Sequence, residues 1–461
     1  MRAKPKSTFV CSNCGSSFAS WFGKCPDCDE WNSLTEFKER SGVRSSNVSK
    51  GGWRAPQEAP SRAPEEAAKF VTLKNKKEKF VDLKISTGFV EMDRVLGGGL
   101  VKNEVILVAG EPGVGKSTLL LSLIHKIQNP KSKTQKTKIV YISSEEEASQ
   151  IQQRAQRIGV DTSNLLFSSA KNIDSLLFSL ENQLEKESIE LVVFDSLQGL
   201  YTSENRSLPG SVAQLKEVLL KIVEFSKRLG ITSLVVGHVT KGGDIAGPKM
   251  LEHMVDCVLF MEGDKASSVR ILRSFKNRFG PTDEVGFFTV NNQGMTEVKN
   301  PSQYFLDWEE KAIGKASVAV RQGVRVVFAT VETLVVTTSL TFPKRVAKGV
   351  DFKRQELILA ILKKYLGLPV DRFDIYSSVS GGLRIDDPLA DLGIAAAIYS
   401  SLTSKVFSAK HLFLGEVGLL GNIRETSFLK QIAEQAKRLG FTKIYSKQNL
   451  QSIRDLKKIS K

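Results

Sequence analysis

Residues 104–120 read EVILVAGEPGVGKSTLL. The pattern GxxxxGK[ST] of a phosphate-binding loop lies here between an apolar run that predicts a strand and a second run that predicts a helix. In such a loop, the glycines turn backbone N–H groups toward the β-phosphate, the lysine bridges the β- and γ-phosphates, and the next hydroxyl reaches Mg²⁺. The sequence therefore predicts a nucleotide and Mg²⁺ site built from Gly110, Glu111, Pro112, Gly113, Val114, Gly115, Lys116, Ser117 and Thr118.

Apolar runs alternate with amphipathic stretches on both sides of this loop. The runs EVILVAG, KIVYIS, IELVVFD, ITSLVVGHV and DCVLFME predict buried strands, and residues 145–158 and 211–229 have the spacing of helices. Repeated strand–helix alternation indicates βαβ units and a mainly parallel sheet. We therefore expect a large α/β domain over residues 70–300.

Three strand ends carry side chains that suit nucleotide hydrolysis. Asp195 ends IELVVFD, where a carboxylate can hold the Mg²⁺ shell through water, and Glu145 follows KIVYIS. Because the carboxyl ends of parallel strands share one edge, Glu145 is expected to orient the attacking water beside Asp195. Glu146 and Glu147 are alternatives, although the helix macrodipole alone favours acidic residues in a first turn. His238 ends VVGH and is either a γ-phosphate sensor or a structural residue.

Four of the five cysteines lie within residues 11–28, as two Cys-x2-Cys knuckles. This spacing lets one tetrahedral ion, about 2.3 Å from each sulfur, reach all four thiolates. A segment this short has no core without the metal. The fifth, Cys257, lies in an apolar run and is expected to be a small buried side chain. The sequence predicts a zinc module over residues 1–36, with iron or two disulfides as less favoured alternatives, and its ligands are Cys11, Cys14, Cys25 and Cys28.

Composition places the chain among globular proteins. Of its 461 residues, 41% are hydrophobic and 25% are charged, which excludes wholesale disorder. Residues 37–69 are instead rich in Ser, Gly, Pro and charge, and predict a linker. No run approaches the roughly 18 apolar residues of a membrane span, and the clustered cysteines suit a reducing compartment, so we expect a cytoplasmic protein. The net charge of +16 favours a polyanionic partner, nucleic acid or a membrane surface.

Residues 301–461 have a different texture. The segment SVAVRQGVRVVFATVETLVVTTS is rich in Val and Thr, as strands are, and helical spacing follows at residues 352–365 and 388–402. We expect a second, smaller α+β domain here.

Several segments together resemble the bacterial RadA (Sms) family of recombination and repair ATPases. They are CSNCG…WFGKCPDCDEWN, STGFVEMDRVLGGGL, GEPGVGKSTLL, YISSEEE, LVVFDSLQ, GHVTKGGDIAGPKMLEHMVDCVLFMEGD, and SFKNRFGPTDEVGFF with NPSQYFL. The resemblance implies a RecA-like ATPase core between the zinc module and a C-terminal domain similar to the protease domain of Lon. It also implies ATP as substrate, a homo-hexameric ring on single-stranded DNA, branch migration of recombination intermediates, a recombinase partner, and no membrane partner.

KNRFG, residues 276–280, is the most specific of these segments. In such rings the nucleotide lies between subunits, and a basic residue of the neighbour completes the site as arginine fingers do. Lys276 and Arg278 are two residues apart and so share one side of an extended segment. The resemblance implies that this pair acts in trans, whereas without it an exposed basic pair would be the default interpretation.

The resemblance to Lon also raises a peptidase function. In Lon, a serine nucleophile and a lysine base form a dyad. Here the nucleophile position falls on Leu389, which has no hydroxyl, and Lys430 falls near the lysine position. We therefore expect a scaffold that assembles the ring and offers DNA a basic surface, although the same charges could form a solvated face; the residues are Lys344, Arg345, Lys348, Lys353 and Arg354.

Three functions are left to compare. The phosphate loop, KNRFG and the excess of basic residues favour a DNA-dependent ATPase motor. A nucleotide-switched module that recruits repair or replication partners would bind ATP without directional movement. An ATP-dependent peptidase is disfavoured by Leu389.

Overall fold

The residues that the computed structural model describes are 7–11, 17–18, 20–26, 31, 34–38, 84–129, 138–238, 250–264, 267–309, 312–425 and 428–459. The chain divides into two compact units, residues 1–80 and residues 81–461. The linker predicted over residues 37–69 lies outside the described residues, except for its first two.

The first unit contains a small antiparallel sheet. Its strands, in the spatial order β2-β1-β3, are β1 (Ser7–Cys11), β2 (Ser17–Phe18) and β3 (Leu34–Lys38). Cys25 and Leu34 are buried, and Phe9 and Phe18 pack against them. Among the residues that the structure describes, this core consists of four side chains, a size at which small domains ordinarily rely on a staple such as a bound metal ion.

The second unit begins with alternating strands and helices. In chain order, these elements are β4 (Lys84–Ile85), α1 (Val90–Val95), β5 (Leu100–Val101), β6 (Val105–Gly110), α2 (Lys116–Gln128), β7 (Lys138–Ser143), α3 (Ala148–Ile158), β8 (Leu165–Ser168), α4 (Ile173–Leu184), β9 (Ile189–Asp195), α5 (Val212–Leu229), β10 (Thr232–His238), α6 (Met250–Met254), β11 (Cys257–Glu262), β12 (Val269–Asn277), β13 (Val285–Asn291), β14 (Gly294–Glu297) and α7 (Ser302–Phe305).

Nine of these strands form one sheet, in the order β14-β13-β12-β11-β6-β10-β9-β7-β8. The six strands from β11 to β8 are parallel, and β12 to β14 continue the sheet in antiparallel fashion. All five predicted strands, which are β6, β7, β9, β10 and β11, lie in the parallel part. The mainly parallel α/β core predicted from the sequence is therefore confirmed.

Both faces of the parallel part are covered, which explains the continuous apolar runs. All six residues of β6 are buried. Because successive side chains of a strand point to opposite faces, Ile106 and Val108 pack with α2 and α3, whereas Val105 and Leu107 pack with α4 and α5. The sheet therefore packs between two layers of helices, which fixes the positions of its strand ends.

The rest of the unit forms a second layered structure. Its elements are β15 (Lys315–Gln322), β16 (Arg325–Thr337), β17 (Arg345–Lys348), α8 (Phe352–Leu366), β18 (Phe373–Val379), α9 (Asp391–Thr403), β19 (His411–Phe413), β20 (Glu416–Val417), β21 (Ile423–Arg424), α10 (Leu429–Arg438), β22 (Lys443–Tyr445) and α11 (Leu456–Ile459).

Six of these strands form a mixed sheet, in the order β17-β18-β16-β15-β19-β22. Helix α9 packs on β15 and β16, and α8 packs against α9. Helix α9 begins later than the predicted residue 388, because Pro388–Ala390 forms a separate 3-10 turn. The expected α+β character is observed. Among the helices that the structure describes, none has both the length and the apolar character that crossing a membrane requires.

The two sheets share an apolar core. Ile271 of β12 and Phe287 of β13 are buried in the same cluster as Val318 of β15. Arg325 of β16 forms an ion pair with the buried Glu91 of α1, and the same carboxylate accepts a hydrogen bond from the Phe287 N–H at 3.0 Å. The domain boundary predicted at residue 300 therefore falls inside one compact unit, between two layers that pack together.

Candidate nucleotide site

The predicted phosphate loop joins β6 to α2. Gly113 and Gly115 have φ angles of +81° and +107°, and a Cβ at Gly115 would lie 2.7 Å from the Met295 side chain. Gly115 precedes α2 and makes no side-chain cap, and the first turn of α2 contains no acidic residue. The first N–H groups of a helix have no partner inside the helix and carry partial positive charge. The N-terminus of α2 is therefore suited to an anionic phosphate.

Lys116 lies at the mouth of this loop. It is buried, and its Nζ donates to the main-chain oxygens of Gly110 at 2.9 Å and Glu111 at 3.0 Å. Burial lowers the pKa of the ammonium group, whereas the charges of Asp195 and Glu145 raise it. The loop backbone thus holds the lysine at the loop. When a nucleotide binds, its phosphate oxygens would accept the hydrogen bonds that the two carbonyls accept here.

Ser117 and Asp195 lie side by side next to Lys116. The Ser117 hydroxyl is hydrogen-bonded to the Asp195 carboxylate, and Tyr141 donates its hydroxyl to the same carboxylate. Burial raises the pKa of Asp195, the charge of Glu145 raises it further, and the bonds from Tyr141 and Ser117 lower it. A hydroxyl and a carboxylate are the oxygen donors that Mg²⁺ prefers. The pair therefore fits the predicted Mg²⁺ site.

Glu145 and His238 complete this edge of the sheet. His238 Nδ1 lies 3.1 Å from Lys116 Nζ, and His238 Nε2 lies 3.0 Å from Glu145 Oε1. Because an ammonium group only donates, Nδ1 must accept and Nε2 must carry the proton that it donates to Glu145. Ser196 also donates its hydroxyl to Glu145. The hydrogen bond from His238, together with that from Ser196, lowers the pKa of Glu145 to about 2, so the carboxylate is ionised and able to orient water.

The other two glutamates of YISSEEE have different partners. Glu147 is the N-cap of α3 and forms a capping box with Gln150. Glu146 forms an ion pair with Arg154 at 2.8 Å. Among the residues that the structure describes, Glu145 is the one of the three that contacts His238.

Replacing Glu145 by glutamine is expected to lower kcat for ATP hydrolysis about 10²- to 10³-fold, because the amide cannot accept a proton from water. The KM for ATP should stay near the wild-type value, since Glu145 does not form part of the phosphate loop. Steady-state kinetics of Glu145→Gln and the matched variant Glu147→Gln test this. A large loss of kcat in Glu147→Gln with none in Glu145→Gln would show that Glu145 is not the base.

Lys276 and Arg278 lie far from this site in their own chain. Lys276 pairs with Val258, and Val258 pairs with Leu107, which is three residues before Gly110 on β6. At about 3.3 Å per residue, this level is roughly 10 Å from Gly110 along the strand. The KNRFG segment therefore lies toward the edge of the sheet opposite the phosphate loop.

Both basic side chains are held by groups that precede β11. Lys276 Nζ donates to the main-chain oxygens of Glu252 at 2.8 Å and Val255 at 2.8 Å. Arg278 Nη1 lies 3.4 Å from Asp256 Oδ1, and its side chain is 57% exposed. Lys276 thus stabilises the end of α6 in its own chain, and Arg278 is the better placed of the two to contact a neighbour.

A buried acidic pair lies behind Arg278 and is not apparent from any motif. Asp256 accepts hydrogen bonds from the Val105 N–H at 3.0 Å and from Lys227 at 2.6 Å. Glu104 is buried and accepts from the Val101 N–H at 3.0 Å. Burial, with a smaller contribution from the Asp256 charge, raises the pKa of Glu104 to about 7.

This pKa predicts a pH dependence of stability. The Glu104 carboxyl would titrate at 4.5 when unfolded and at about 7 when folded, so between these values the folded chain holds a proton that the unfolded chain lacks. The free energy of unfolding should fall as pH rises through this window, by on the order of 3 kcal/mol. Glu104→Gln keeps an acceptor for the Val101 N–H and should remove this part of the slope. Urea unfolding at pH 5.0 and 7.5 tests it, and an unchanged slope in the variant would contradict it.

The position of the Lon nucleophile is an apolar packing site. Leu389 is buried in a cluster with Phe328, Leu412 and Ile432. Lys430 is exposed on α10. Leu389 therefore contributes to a small core, which fits a scaffold better than a peptidase.

The five basic residues predicted to face DNA differ in their surroundings. Arg345, Lys348 and Arg354 each bond to groups of the same chain. Lys344 and Lys353 are exposed. A role in a basic surface for DNA is therefore best supported for Lys344 and Lys353.

Of the predicted metal ligands, Cys11 ends β1 and Cys25 is fully buried. Cys14 and Cys28 lie outside the described residues. Cys257 is buried in β11 as expected, and burial raises the pKa of its thiol.

Comparison with known proteins agrees with these features. Residues 85–300 match the KaiC ATPase family, and residues 9–36 match the rubredoxin metal-binding domain family. The chain is 39% identical to the DNA repair protein RadA of Halalkalibacterium halodurans, over 96% of this chain and 92% of that protein. It is 38% identical to the RadA proteins of Listeria monocytogenes, over 97% and 93% of the two chains, and of Brucella abortus, over 95% and 91%.

The fold and the site define an ATP hydrolase with a RecA-like core and an N-terminal zinc ribbon. Since identity to curated RadA proteins extends over almost the whole chain, the protein belongs to the bacterial RadA family of DNA repair proteins. The resemblance inferred from KNRFG and the other quoted segments is therefore confirmed.

Proposed function

We propose that the chain is a DNA-dependent ATPase of recombinational repair. It translocates on single-stranded DNA as a homo-hexameric ring and drives branch migration of recombination intermediates, beside a recombinase partner and in the cytoplasm. The names of its relatives as DNA repair proteins and the net charge of +16 support DNA as the partner.

The position of KNRFG carries the proposal. Lys276 and Arg278 lie toward the opposite edge of the sheet from Gly110, so they do not serve the nucleotide of their own chain. In a ring, the KNRFG edge of one subunit faces the phosphate loop of the next subunit, so the basic pair can act on the neighbour's nucleotide. Hydrolysis at such an interface depends on the relative position of two subunits, which is the coupling that a translocating motor needs.

The decisive experiment measures ATP turnover and strand movement together. Single-stranded DNA should raise the rate of ATP hydrolysis, and the protein should move the branch point of a three-stranded junction when ATP is present. Both effects should weaken steeply with added salt, since phosphate contacts release counterions. ATP binding without movement of the branch point would instead favour a recruitment module, and turnover indifferent to DNA would exclude the motor.

We further propose that Cys11, Cys14, Cys25 and Cys28 hold Zn²⁺, and that Ser117 and Asp195 hold the Mg²⁺ of MgATP. The double variant Cys25→Ser/Cys28→Ser should lose its zinc on purification, because two thiolates do not close a tetrahedral structural site. Elemental analysis measures the metal, and Cys257→Ala is the matched control that keeps it. A double variant that retains zinc with a four-thiolate spectrum after cobalt exchange would show that the ligands are misassigned.

A further inference from the structure

Arg270, the second residue of β12, is a buried arginine that no motif identifies. Its side chain is 8% exposed, and its Nε donates to the Val114 main-chain oxygen at 2.8 Å. Val114 belongs to the phosphate loop and lies two residues before Lys116. Arg270 therefore bonds to the backbone of the loop from the neighbouring part of the sheet.

The bond to Val114 sets the direction of a second group. The C=O of Val114 and the N–H of Gly115 belong to one planar trans peptide unit, so they point in opposite directions. When Arg270 holds the carbonyl, the Gly115 N–H points away from β12, to the side where the loop accepts phosphate. Glycine can change its backbone angles at little cost, so the Val114–Gly115 peptide would flip easily without the bond from Arg270.

The rest of the guanidinium bonds to described residues on both sides of the turn between β11 and β12. Nη1 donates to the main-chain oxygens of Asp264 at 3.2 Å and Val269 at 2.9 Å. A Cβ at Gly263 would lie 2.4 Å from the Arg270 side chain, so the turn leaves room for this arginine. One planar fork thus joins the phosphate loop to the turn through two separate nitrogens, Nε and Nη1, a spacing that the single nitrogen of a lysine does not reproduce.

The C-terminal layer contacts the same turn. Lys348 of β17 forms an ion pair with Asp264 at 2.9 Å, and a Cβ at Gly382 would lie 3.3 Å from the Asp264 side chain. Lys348 is 63% exposed, so it stays accessible to solvent and to other ligands. A continuous chain of bonds therefore runs from Lys348 through Asp264 and Arg270 to Val114.

We propose that Arg270 is a positioning residue for ATP: it holds the Val114–Gly115 peptide in the phosphate-accepting orientation, and the Lys348–Asp264 ion pair adjusts that orientation from the C-terminal layer. The proposal rests on the nucleotide site of the proposed function but not on DNA translocation. An event that moves or neutralises Lys348 changes the affinity for ATP.

The test measures the Kd of a fluorescent ATP analogue, and the KM and kcat for ATP, on the full-length protein without DNA. Arg270→Lys should raise the Kd and the KM about tenfold, because one charged hydrogen bond to the loop or to the turn is lost, and should change kcat less than twofold. Asp264→Asn and Lys348→Ala should each raise both constants severalfold. Lys363→Ala, which breaks an ion pair with Asp371 elsewhere in the C-terminal layer, is the matched control and should leave them unchanged.

The coupling is tested in the double variant. If Lys348 acts through Arg270, the Kd of Arg270→Lys/Lys348→Ala should equal that of Arg270→Lys alone, whereas independent effects would multiply. The proposal is overturned if Arg270→Lys and Lys348→Ala fold with the wild-type Tm and bind the analogue with the wild-type Kd, or if the effects multiply. If Arg270→Lys does not fold, Asp264→Asn and Lys348→Ala decide alone. Because these constants are measured without DNA, they test the role of Arg270 even if the protein proves not to move along DNA.

Discussion

Replacing Lys116 by alanine is expected to abolish ATP turnover, with a loss of at least about 10³-fold. The lysine is the cation that lies at the N-terminus of α2, within reach of the two loop carbonyls at 2.9 and 3.0 Å. Its removal takes away the charge that would stabilise the negative oxygens as the γ-phosphate leaves. Steady-state phosphate release, with and without single-stranded DNA, measures the loss.

The same helix provides the control for this variant. Lys126 is exposed in the last turn of α2, where its Nζ lies 5.5 Å from the centre of the Phe89 ring. Lys126→Ala removes an equal charge from the same helix and should keep at least half of the turnover. Residual turnover in Lys116→Ala above one tenth of wild type, in protein of normal Tm, would show that the lysine does not act on the phosphates.

The strand ends that come together at the candidate nucleotide site are visible in the sequence. Strands such as β6 and β9 are buried on both faces, so they appear as continuous apolar runs, and the residue that ends such a run marks the edge where the site forms. Asp195 and His238 follow from this reasoning without any structural information. Glu145 is also chosen from the sequence, but Glu146 and Glu147 stay open as alternatives there, because the cap that Glu147 supplies to α3 is seen only in the folded chain.

Strand β12 shows why other features stay hidden. It reads VRILRSFKN, and arginine and lysine within a strand are ordinarily assigned to a solvated face. Arg270 is buried nonetheless, because the carbonyl group of Val114, which is distant in sequence, and that of Asp264, which lies in the preceding turn, converge on its guanidinium. Lys276 is likewise satisfied by carbonyls at the end of α6. Partners that come together only in the folded chain leave no local pattern in the sequence.

Replacing Arg278 by alanine in every subunit is expected to lower ATP turnover by on the order of 10³-fold while ATP binding is retained. Arg278 is 57% exposed and lies toward the edge of the sheet opposite its own phosphate loop, so its removal leaves the loop of its own chain intact. Arg228→Ala, which removes a 59% exposed arginine paired with Glu181 on α4, is the matched control and should leave turnover unchanged.

Mixing two inactive variants separates action in trans from a structural effect. In rings that contain both Lys116→Ala and Arg278→Ala subunits, an Arg278→Ala subunit keeps its lysine and can receive an intact arginine from a Lys116→Ala neighbour. Roughly a quarter of the interfaces in randomly mixed rings then hold both groups, so turnover should rise well above that of either variant alone. Mixed rings that form, as native mass spectrometry would show, yet stay inactive would mean that Arg278 does not complete a neighbour's site. Recovery would require that the nucleotide lie between subunits, since neither chain alone supplies both the lysine and the arginine.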